Sequence, residues 1–372
     1  MNSKKETMLI HDKMIRKNKV VKVIRKNSLK MYGRAPKGVI KNKIGKVVFC
    51  ASGDEAEKDF KEVKPGCDEE TLIEMCKNAN LTGMSGSGFP VYRKLEAFVK
   101  AEVVTKCIVI NAAECEPGLI HDQWLIEHKF QQIVYDAMAL CHILKAESIH
   151  IAAKSFPGGS GRTENSVALS KVPPLYPMGE EKILIKQVLG ITLDREEIPA
   201  EKGILVLNLQ TLLQIFETLS GNEPVGRYVT LCSLDTGKAY AVYVKYGENI
   251  KNRLVQLFGE NTYYKAGFGA MNAWDVSEED AFTPTVCFAA VASGVAAGSI
   301  ENRCKGCGKC KKVCPMGIDV KKAVSMIEKN SSEGILKLGI EKCIGCGSCS
   351  FVCAANKCPH EIVGAYHAKI KG

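Results

Sequence analysis

Residues 107–118 read Cys107-Ile-Val-Ile-Asn-Ala-Ala-Glu-Cys-Glu-Pro-Gly118, a short apolar run that ends in a polar turn. An apolar run of this length is typical of a buried β-strand. Apolar residues at helical spacing follow from about residue 122 to residue 145, and the next strand is expected at residues 148–153. Strand, polar turn, helix and strand in this order predict a βαβ unit within an α/β fold.

The segments that flank this unit continue the alternation. Short helices are expected at residues 72–80 and 95–99. The stretch 155–180 is rich in Pro, Gly and Ser, so we expect it to be a loop. The elements expected after it are a helix at 184–189, a strand at 203–209 and a helix at 211–219. Together they predict a Rossmann-like α/β domain over residues 66–222.

A second, smaller module is predicted over residues 223–280. Strands are expected at 227–231 and 239–244, and a helix at 250–258 behind them. This pattern favours a β-grasp-like arrangement. Ahead of the α/β domain, residues 1–65 form a basic segment in which strands are expected at 20–24 and 40–49.

Composition places the chain among soluble globular proteins. It has 372 residues, of which 46% are hydrophobic and 25% charged, so two to three domains are expected and wholesale disorder is excluded. The longest apolar stretch, 282–297, is interrupted by Thr, Pro, Ser and Gly, which does not support a transmembrane span. The N-terminus lacks the pattern of a secretory signal, so a cytoplasmic location is expected.

The net charge of +10 is concentrated at the N-terminus. Residues 1–46 hold 15 Lys and Arg against two acidic residues, which leaves the rest of the chain close to neutral. A basic arm can contact nucleic acid, an anionic membrane or an acidic partner, or it can be a solvated surface. Because the arm has no interleaved aromatic residues and no nucleic-acid motif, we favour the solvated surface and expect no nucleic-acid partner.

Cysteine is the most informative residue type. The chain has 17 Cys, and nine of them lie between Cys304 and Cys358. In a chain with no export signal, such crowding indicates metal ligation in a reducing compartment and not a disulfide framework.

Two of these cysteine runs share one spacing. Residues 304–315 read Cys304-Lys-Gly-Cys307-Gly-Lys-Cys310-Lys-Lys-Val-Cys314-Pro315, and residues 343–353 repeat C-x2-C-x2-C-x3-C. Two-cluster bacterial ferredoxins have this pattern, and the fourth Cys of each run ligates the other cluster. We therefore expect a mainly helical domain over 281–372 with two [4Fe–4S] clusters, held by Cys304, Cys307, Cys310 and Cys353, and by Cys343, Cys346, Cys349 and Cys314.

Two alternatives stay open for these cysteines. Structural zinc also uses C-x2-C pairs, but zinc sites do not usually place four Cys in eleven residues twice. The second alternative concerns which cysteine is the fourth ligand of the second run, Cys353 or Cys358. Ala354 follows Cys353, whereas Pro359 follows Cys358. The x3 spacing favours Cys353, and the Pro usually found after the fourth ligand favours Cys358.

A glycine-rich loop precedes the helix expected at 95–99. It reads Gly83-Met-Ser-Gly86-Ser-Gly88-Phe-Pro90, and Lys94 follows. Glycines at such a position let backbone N–H groups approach a phosphate, although many loops of this composition bind nothing.

The loop and three later motifs together resemble a known family. Residues 83–94 resemble the G-x-G-G-A-G-F-P-x-x-x-K loop of the FMN- and NADH-binding flavoprotein subunit of respiratory complex I and of the C subunit of the Rnf electron-transport complex. Residues 111–117 are similar to the N-x-x-E-[SC]-E-P motif of that family, whose Cys form is typical of the Rnf branch. Residues 176–182 and 208–212 resemble Y-P-x-G-x-E-K and N-V-x-T-L of the same branch. The resemblance covers about residues 70–360.

This resemblance implies an NADH dehydrogenase-type oxidoreductase. FMN would accept electrons from NADH, and the two clusters would pass them singly to an acceptor, either a partner reductase or a membrane electron-transport complex. A peripheral position on the cytoplasmic membrane face is compatible with this role. The implied site residues are Gly83, Gly86 and Gly88 for backbone approach to FMN, Lys94 for charge compensation, Asn111 and Asn208 for hydrogen bonds to the flavin or its ribityl chain, and Glu114 and Glu116 as catalytic carboxylates beside the nucleotide.

Two rival interpretations belong to other classes. A flavin-free electron-transfer module would use the clusters alone, with a glycine loop that binds nothing. A nucleic-acid-binding iron–sulfur protein would use the basic arm, and its binding would weaken steeply with salt.

Overall fold

The computed structural model describes residues 67–159, 163–164, 166–194, 196–293, 304–329, 334–353, 355 and 357–371. The strands expected at 20–24 and 40–49 and the basic N-terminal segment lie outside these residues.

The first sheet is the parallel sheet that the βαβ pattern predicts. Its strands are β1 (Cys107–Ala112), β2 (Ser148–Ala153), β3 (Thr163–Glu164), β4 (Val167–Lys171) and β5 (Ile204–Asn208). Their order is β3-β4-β2-β1-β5, and every pair is parallel except β3 with β4. Strand β1 is buried apart from its first residue, as expected for a strand covered on both faces.

Six helices accompany this sheet: α1 (Glu69–Asn78), α2 (Val91–Lys100), α3 (His121–His128), α4 (Phe130–Ile143), α5 (Glu181–Leu189) and α6 (Leu209–Leu219). Alternate residues of β1 point to opposite faces of the sheet. Ile108 and Ile110 belong to the large core that includes α1, α2, α4 and α6, whereas Val109 packs with α5. The predicted α/β class is confirmed.

Two local predictions in this region are wrong. The helix expected over 122–145 is two helices, because Lys129 leaves the helical conformation with φ −120° and ψ 27°. The loop expected over 155–180 contains strand β4, in which Val167 and Leu169 are buried on one face. Apolar residues at every second position over only five residues are a weak sequence signal for a strand when Gly and Pro surround them.

The strand order creates a switch point between β1 and β5. The chain leaves β1 toward β2 on one side, whereas β5 pairs with the other side of β1. The parallel register sets Asn111 opposite Asn208 at the carboxyl ends of these strands. In open α/β sheets, ligands bind in the crevice outside such a switch point.

The second sheet contains β6 (Gly226–Ser233), β7 (Ala239–Lys245), β8 (Tyr263–Gly267), β9 (Ala273–Asp275) and β10 (Phe288–Ala292), with helix α7 (Ile250–Phe258) between β7 and β8. The order is β7-β6-β10-β8-β9, with β6 and β10 parallel in the centre. Ile250 and Leu254 of α7 pack on this sheet. A mixed sheet with one covering helix agrees with the β-grasp-like arrangement. The sheet extends past residue 280 to include β10, and the division into domains stays a prediction.

The cysteine-rich region is mainly helical. Its helices are α8 (Lys309–Val313), α9 (Val320–Glu328), α10 (Ser348–Phe351) and α11 (Pro359–Lys371). A small apolar core lies between them and includes Ile318, Val324 and Val363. Among the described residues, no helix has both the length and the apolar character needed to cross a membrane.

Candidate cofactor sites

The switch point brings Asn111 and Asn208 together. Asn208 caps α6, since its Oδ1 accepts a hydrogen bond of 2.9 Å from the Gln210 N–H. Its Nδ2 donates to Asp122 Oδ2 at 3.1 Å. The Asn111 amide donates to the Gly179 carbonyl at 2.8 Å, and its Oδ1 accepts from the Ala113 N–H at 3.0 Å. Both amides are therefore held in fixed orientations at the edge of the crevice.

The glycine-rich loop lies beside the N-terminus of α6. The Met84 N–H donates to Thr211 Oγ1, in the first turn of that helix, at 3.0 Å. The Gly83 N–H donates to the Phe89 carbonyl at 2.8 Å and closes the loop. Helix N-termini favour anions through their free N–H groups and the helix dipole. Loop and helix end together form a surface that suits a phosphate.

Two glycines of this loop are required by its conformation and its contacts. Gly86 has φ +103° and Gly88 has φ +62°, values in the left-handed region that favours glycine. A Cβ on Gly86 would lie 3.0 Å from Cγ of Phe268, and a Cβ on Gly88 would lie 3.2 Å from Cγ2 of Thr285. The chain after β8 therefore packs directly on the loop, so these glycines serve packing as well as any approach to a ligand.

Arg227 supports the loop from below, a role that no sequence motif indicates. Its side chain is 1% exposed, and its Nη1 donates to the Met84 carbonyl at 3.1 Å. Its Nη2 has no hydrogen-bond partner within the described part of the chain. A buried guanidinium with a spare donor is costly unless an anion compensates it. Arg227 is thus a buried cation beside the glycine loop, with the Asp122 carboxylate near enough to interact with it.

Lys94 points elsewhere. Its Nζ lies 2.7 Å from Glu181 Oε1 and 3.0 Å from the Val206 carbonyl. These contacts tie α2 to the start of α5 and to β5. Its role beside the flavin stays a prediction.

Glu114 forms a buried ion pair. Its Oε2 lies 2.8 Å from Lys154 Nζ, and the two side chains are 2% and 1% exposed. Its Oε1 accepts a hydrogen bond from the Gln123 N–H at 3.3 Å. Lys154 Nζ also lies 5.0 Å from the centre of the Tyr176 ring. Burial is the largest single influence on the pKa of Lys154 and acts to lower it. The charge and hydrogen bond of Glu114, together with Tyr176 and Cys115, act the other way, and the pKa is raised above its ordinary value.

We expect Lys154→Met to lower the free energy of unfolding by about 3–5 kcal/mol, because it leaves Glu114 as a buried, unpaired carboxylate. Lys145→Met is the matched control. The Lys145 side chain is 75% exposed and lies 3.3 Å from Glu69, so its loss should cost less than about 0.5 kcal/mol. Denaturant unfolding of both variants measures the difference, and equal costs would contradict it.

Glu116 is buried against the loop that follows β8. Its Oε2 accepts hydrogen bonds from the Met271 N–H at 2.8 Å and from the Asn272 N–H at 3.2 Å, and its Oε1 accepts from the Asn272 side-chain amide. Burial raises the pKa of Glu116, and these donors oppose the rise. The carboxylates of Glu114 and Glu116 thus bind different partners, and their roles toward a nucleotide stay predictions.

Asp122 is a further site residue that the sequence did not reveal as such. It is buried beside Asn208, and burial together with the Glu114 charge raises its pKa to about 7. Arg227 and the amides of Asn208 and Gln210 act in the opposite direction. The sequence feature that could have indicated Asp122 is the polar run His121-Asp122-Gln123, which opens a buried helix.

The cluster cysteines separate into two sets that match the predicted interleaving. One cavity, here called the inner cavity, is lined by Cys314, Cys343, Cys346 and Cys349. Another, the outer cavity, is lined by Cys304, Cys307, Cys310 and Cys353. Cys358 is exposed and does not line either cavity. The fourth cysteine of each run therefore lies with the first three of the other run.

The chemistry of these two sets fits iron–sulfur clusters. Burial raises the pKa of the Cys310 thiol, and the nearby Cys304, Cys307 and Cys353 raise it further. Four crowded thiolates repel one another and are stabilised by bound metal cations. Within the described ranges no three His, Cys, Asp or Glu side chains converge tightly enough to hold a single metal ion.

Two family profiles match the chain in the order that the sequence predicts. The Nuo51 FMN-binding domain matches residues 76–217, and the 4Fe-4S dicluster domain matches residues 298–354. The first match contains the glycine loop and the switch point. The second contains every cysteine of both runs, from Cys304 to Cys353, and ends before Cys358.

Among curated proteins, the C subunits of ion-translocating oxidoreductase complexes are similar to this chain. The Vibrio cholerae protein is 28% identical over 278 residues, which are 70% of this chain and 34% of that protein. The Haemophilus influenzae protein is 27% identical, over 70% of this chain and 41% of its own length. The C subunit of the Na(+)-translocating ferredoxin:NAD(+) oxidoreductase complex of Acetobacterium woodii is 26% identical, over 67% and 58%. The chain thus spans between about a third and three fifths of these relatives.

Solved structures show the same fold. A chain of an NAD+-reducing [NiFe]-hydrogenase in its air-oxidised state aligns with a TM-score of 0.52 at 15% identity, covering 80% of this chain and 61% of that one. The H2-reduced state aligns with a TM-score of 0.55 at 13% identity. The predicted resemblance is confirmed: this chain is similar to the C subunits of Rnf-type ion-translocating oxidoreductase complexes, with an FMN-binding domain of the Nuo51 type ahead of a 4Fe-4S dicluster domain.

Proposed function

We propose that the chain is an electron-transfer flavo-iron–sulfur protein that oxidises NADH through FMN and passes single electrons through two [4Fe–4S] clusters to a partner. One observation carries the proposal: a switch-point crevice with a glycine loop and two four-cysteine cavities occur in one chain and are joined by direct contacts. Bound FMN would accept two electrons together from NADH and release them one at a time. The clusters would carry these single electrons.

The protein groups at the crevice would hold and orient the flavin. Asn111 and Asn208 present fixed amides at the strand ends, and Asp122 fixes Asn208 by accepting its N–H. The N-terminus of α6 and the spare Arg227 donor would compensate the charge of the phosphate. The buried pair Glu114–Lys154 stiffens the turn after β1, where the nicotinamide nucleotide would bind.

The positions of the two cavities define a direction through the protein. The inner cavity adjoins the loop after β8, since Ser348 Oγ lies 3.8 Å from the Met271 sulfur. The outer cavity lies nearer the surface, because Cys304 and Cys307 are exposed. Electrons from the flavin would therefore reach the inner cluster first and leave through the outer cluster.

A basic surface around the outer cavity supports an acidic partner. Residues 304–329 contain seven Lys and two acidic residues. Both acids are paired, Asp319 with Lys311 at 2.6 Å and Glu328 with Lys357. Exposed Lys321 lines the outer cavity, and exposed Lys312 follows Cys310 of that cavity by two residues; both acids of the segment pair with other lysines. Positive charge around an exposed redox centre steers an acidic protein toward it.

We expect the double variant Lys312→Glu, Lys321→Glu to slow association with an acidic bacterial ferredoxin by roughly tenfold at low salt, because electrostatic steering is reversed. The matched control is Lys238→Glu with Lys245→Glu, two exposed lysines, one just before β7 and one at its end. Stopped-flow electron transfer at two ionic strengths measures the rate. An equal fall in the control pair, or no fall in the cavity pair, would argue against this docking surface.

Anaerobic purification tests the function itself. We expect about one FMN and about eight irons per chain, and bleaching of the flavin absorption at about 450 nm when NADH is added.

The second candidate is a flavin-free electron-transfer module. The packing of Phe268 and Thr285 on the glycine loop and the pairing of Lys94 with Glu181 favour it. Eight irons without flavin would establish that alternative.

A further inference from the structure

We propose that Glu116 is a positioning residue for electron transfer. Its carboxylate holds the segment 268–272, here called the bridge loop, between the flavin crevice and the inner cavity. The position of this loop would set the rate of electron transfer from the crevice to the inner cavity. The inference rests on the proposed function. The step concerned would be the transfer of single electrons from reduced flavin to a cluster. NADH would supply two electrons as a hydride, two such transfers would pass them on, and the proton would leave to solvent.

The bridge loop contacts the flavin domain at two places. At its start, the Phe268 ring packs on Gly86 of the glycine loop. Further along, the Ala270 N–H donates to the Pro117 carbonyl at 3.3 Å, and Met271 and Asn272 donate to Glu116. The loop is thus fixed both to the glycine loop and to the turn after β1.

The same loop contacts the wall of the inner cavity. A Cβ on Gly347 would lie 3.2 Å from Asn272 Oδ1 and 3.4 Å from Cβ of Met271. Gly347 stands between Cys346 and Ser348, and all three line the inner cavity. Met271 also packs with Val313, at the end of α8, and with Val352, which follows α10. Asn272 therefore touches a flavin-domain carboxylate on one side and the cluster-binding turn on the other.

The carboxylate is suited to this position. It accepts from two successive backbone N–H groups and from a side-chain amide, an arrangement that a neutral acceptor cannot match in strength. The approach is so close that a Cβ on Gly269 would overlap the Glu116 side chain. Glycine at 269 is needed for this reason, since its φ is not in the left-handed region.

The first test compares Glu116→Ala with wild type, Glu116→Gln and the exposed control Glu279→Gln. In Glu116→Ala we expect iron and FMN contents to stay at wild-type levels, while the rate of cluster reduction by NADH-reduced flavin falls by about tenfold or more. The variant loses all three hydrogen bonds that the carboxylate accepts, and losing one charge-assisted hydrogen bond already changes a population by about tenfold. The EPR signal of the inner cluster should change and that of the outer cluster should not. Glu116→Gln should recover only part of the rate, because its carbonyl oxygen still accepts from the backbone but is a weaker acceptor than the carboxylate.

The second test leaves the carboxylate in place. Gly269→Ala should displace Glu116 from the bridge loop and reproduce both the slow reduction and the altered inner-cluster EPR signal. Gly364→Ala is its control, since a Cβ there meets no atom within 4 Å. Wild-type rates in Glu116→Ala and Gly269→Ala, or equal EPR changes in both clusters, would overturn the inference. Absence of flavin or of clusters in the wild type would instead contradict the proposed function.

Discussion

Cys353→Ser should remove one of two iron–sulfur clusters and leave about four irons per chain in place of about eight. Cys353 lines the outer cavity with Cys304, Cys307 and Cys310, so its loss leaves that cluster with three thiolates. The inner set does not include Cys353. Iron and sulfide analysis of anaerobic protein measures the loss, and EPR should show that the inner cluster survives.

Cys358→Ser is the matched control for this prediction. Cys358 is exposed just before α11 and lies outside both cysteine sets, so the variant should keep all the iron. The opposite pattern, with one cluster lost in Cys358→Ser and both kept in Cys353→Ser, would reverse the assignment. Stoichiometric zinc in the wild type would reject the clusters altogether.

The sequence predicts these cysteine sets well because the information is local. Within each run, three cysteines lie at fixed two-residue gaps, and the spacing itself limits where the sulfur atoms point. In the structure the two runs meet with the expected exchange: Cys314 lines the inner cavity and Cys353 the outer cavity. The central strand β1 is predicted for a similar reason, since it begins with a continuous apolar run that ends in a polar turn.

The roles of Glu116 and Arg227 could not be predicted in this way. Met271 and Asn272 bind Glu116 from about 155 residues along the chain, and Arg227 reaches Met84 across 143 residues. A carboxylate in a turn and an arginine in a strand look solvated until the fold places donors and acceptors around them. Motif resemblance indicated that position 116 matters, but only the packing of the bridge loop shows what its carboxylate binds.

Gly86→Val should abolish FMN binding while the iron content stays unchanged. Valine at φ +103° is strained, and its side chain would meet the Phe268 ring, so the loop must move away from the crevice. Gly159→Val is the matched control, because Gly159 has φ +100° and a Cβ there meets no atom of the described residues within 4 Å. Both variants carry a similar backbone strain of about 1–3 kcal/mol, but only the first disturbs the glycine loop. Flavin released on acid denaturation gives the FMN content of each.

A double variant separates the two reasons for glycine at position 86. In Gly86→Val with Phe268→Ala the clash with the ring is gone, while the added side chain on the loop remains. If the loop backbone contacts FMN, the double variant should still lack flavin. Recovery of flavin would mean that Gly86 is needed only to accommodate Phe268, and the phosphate contact would then rest on the α6 N-terminus and Arg227.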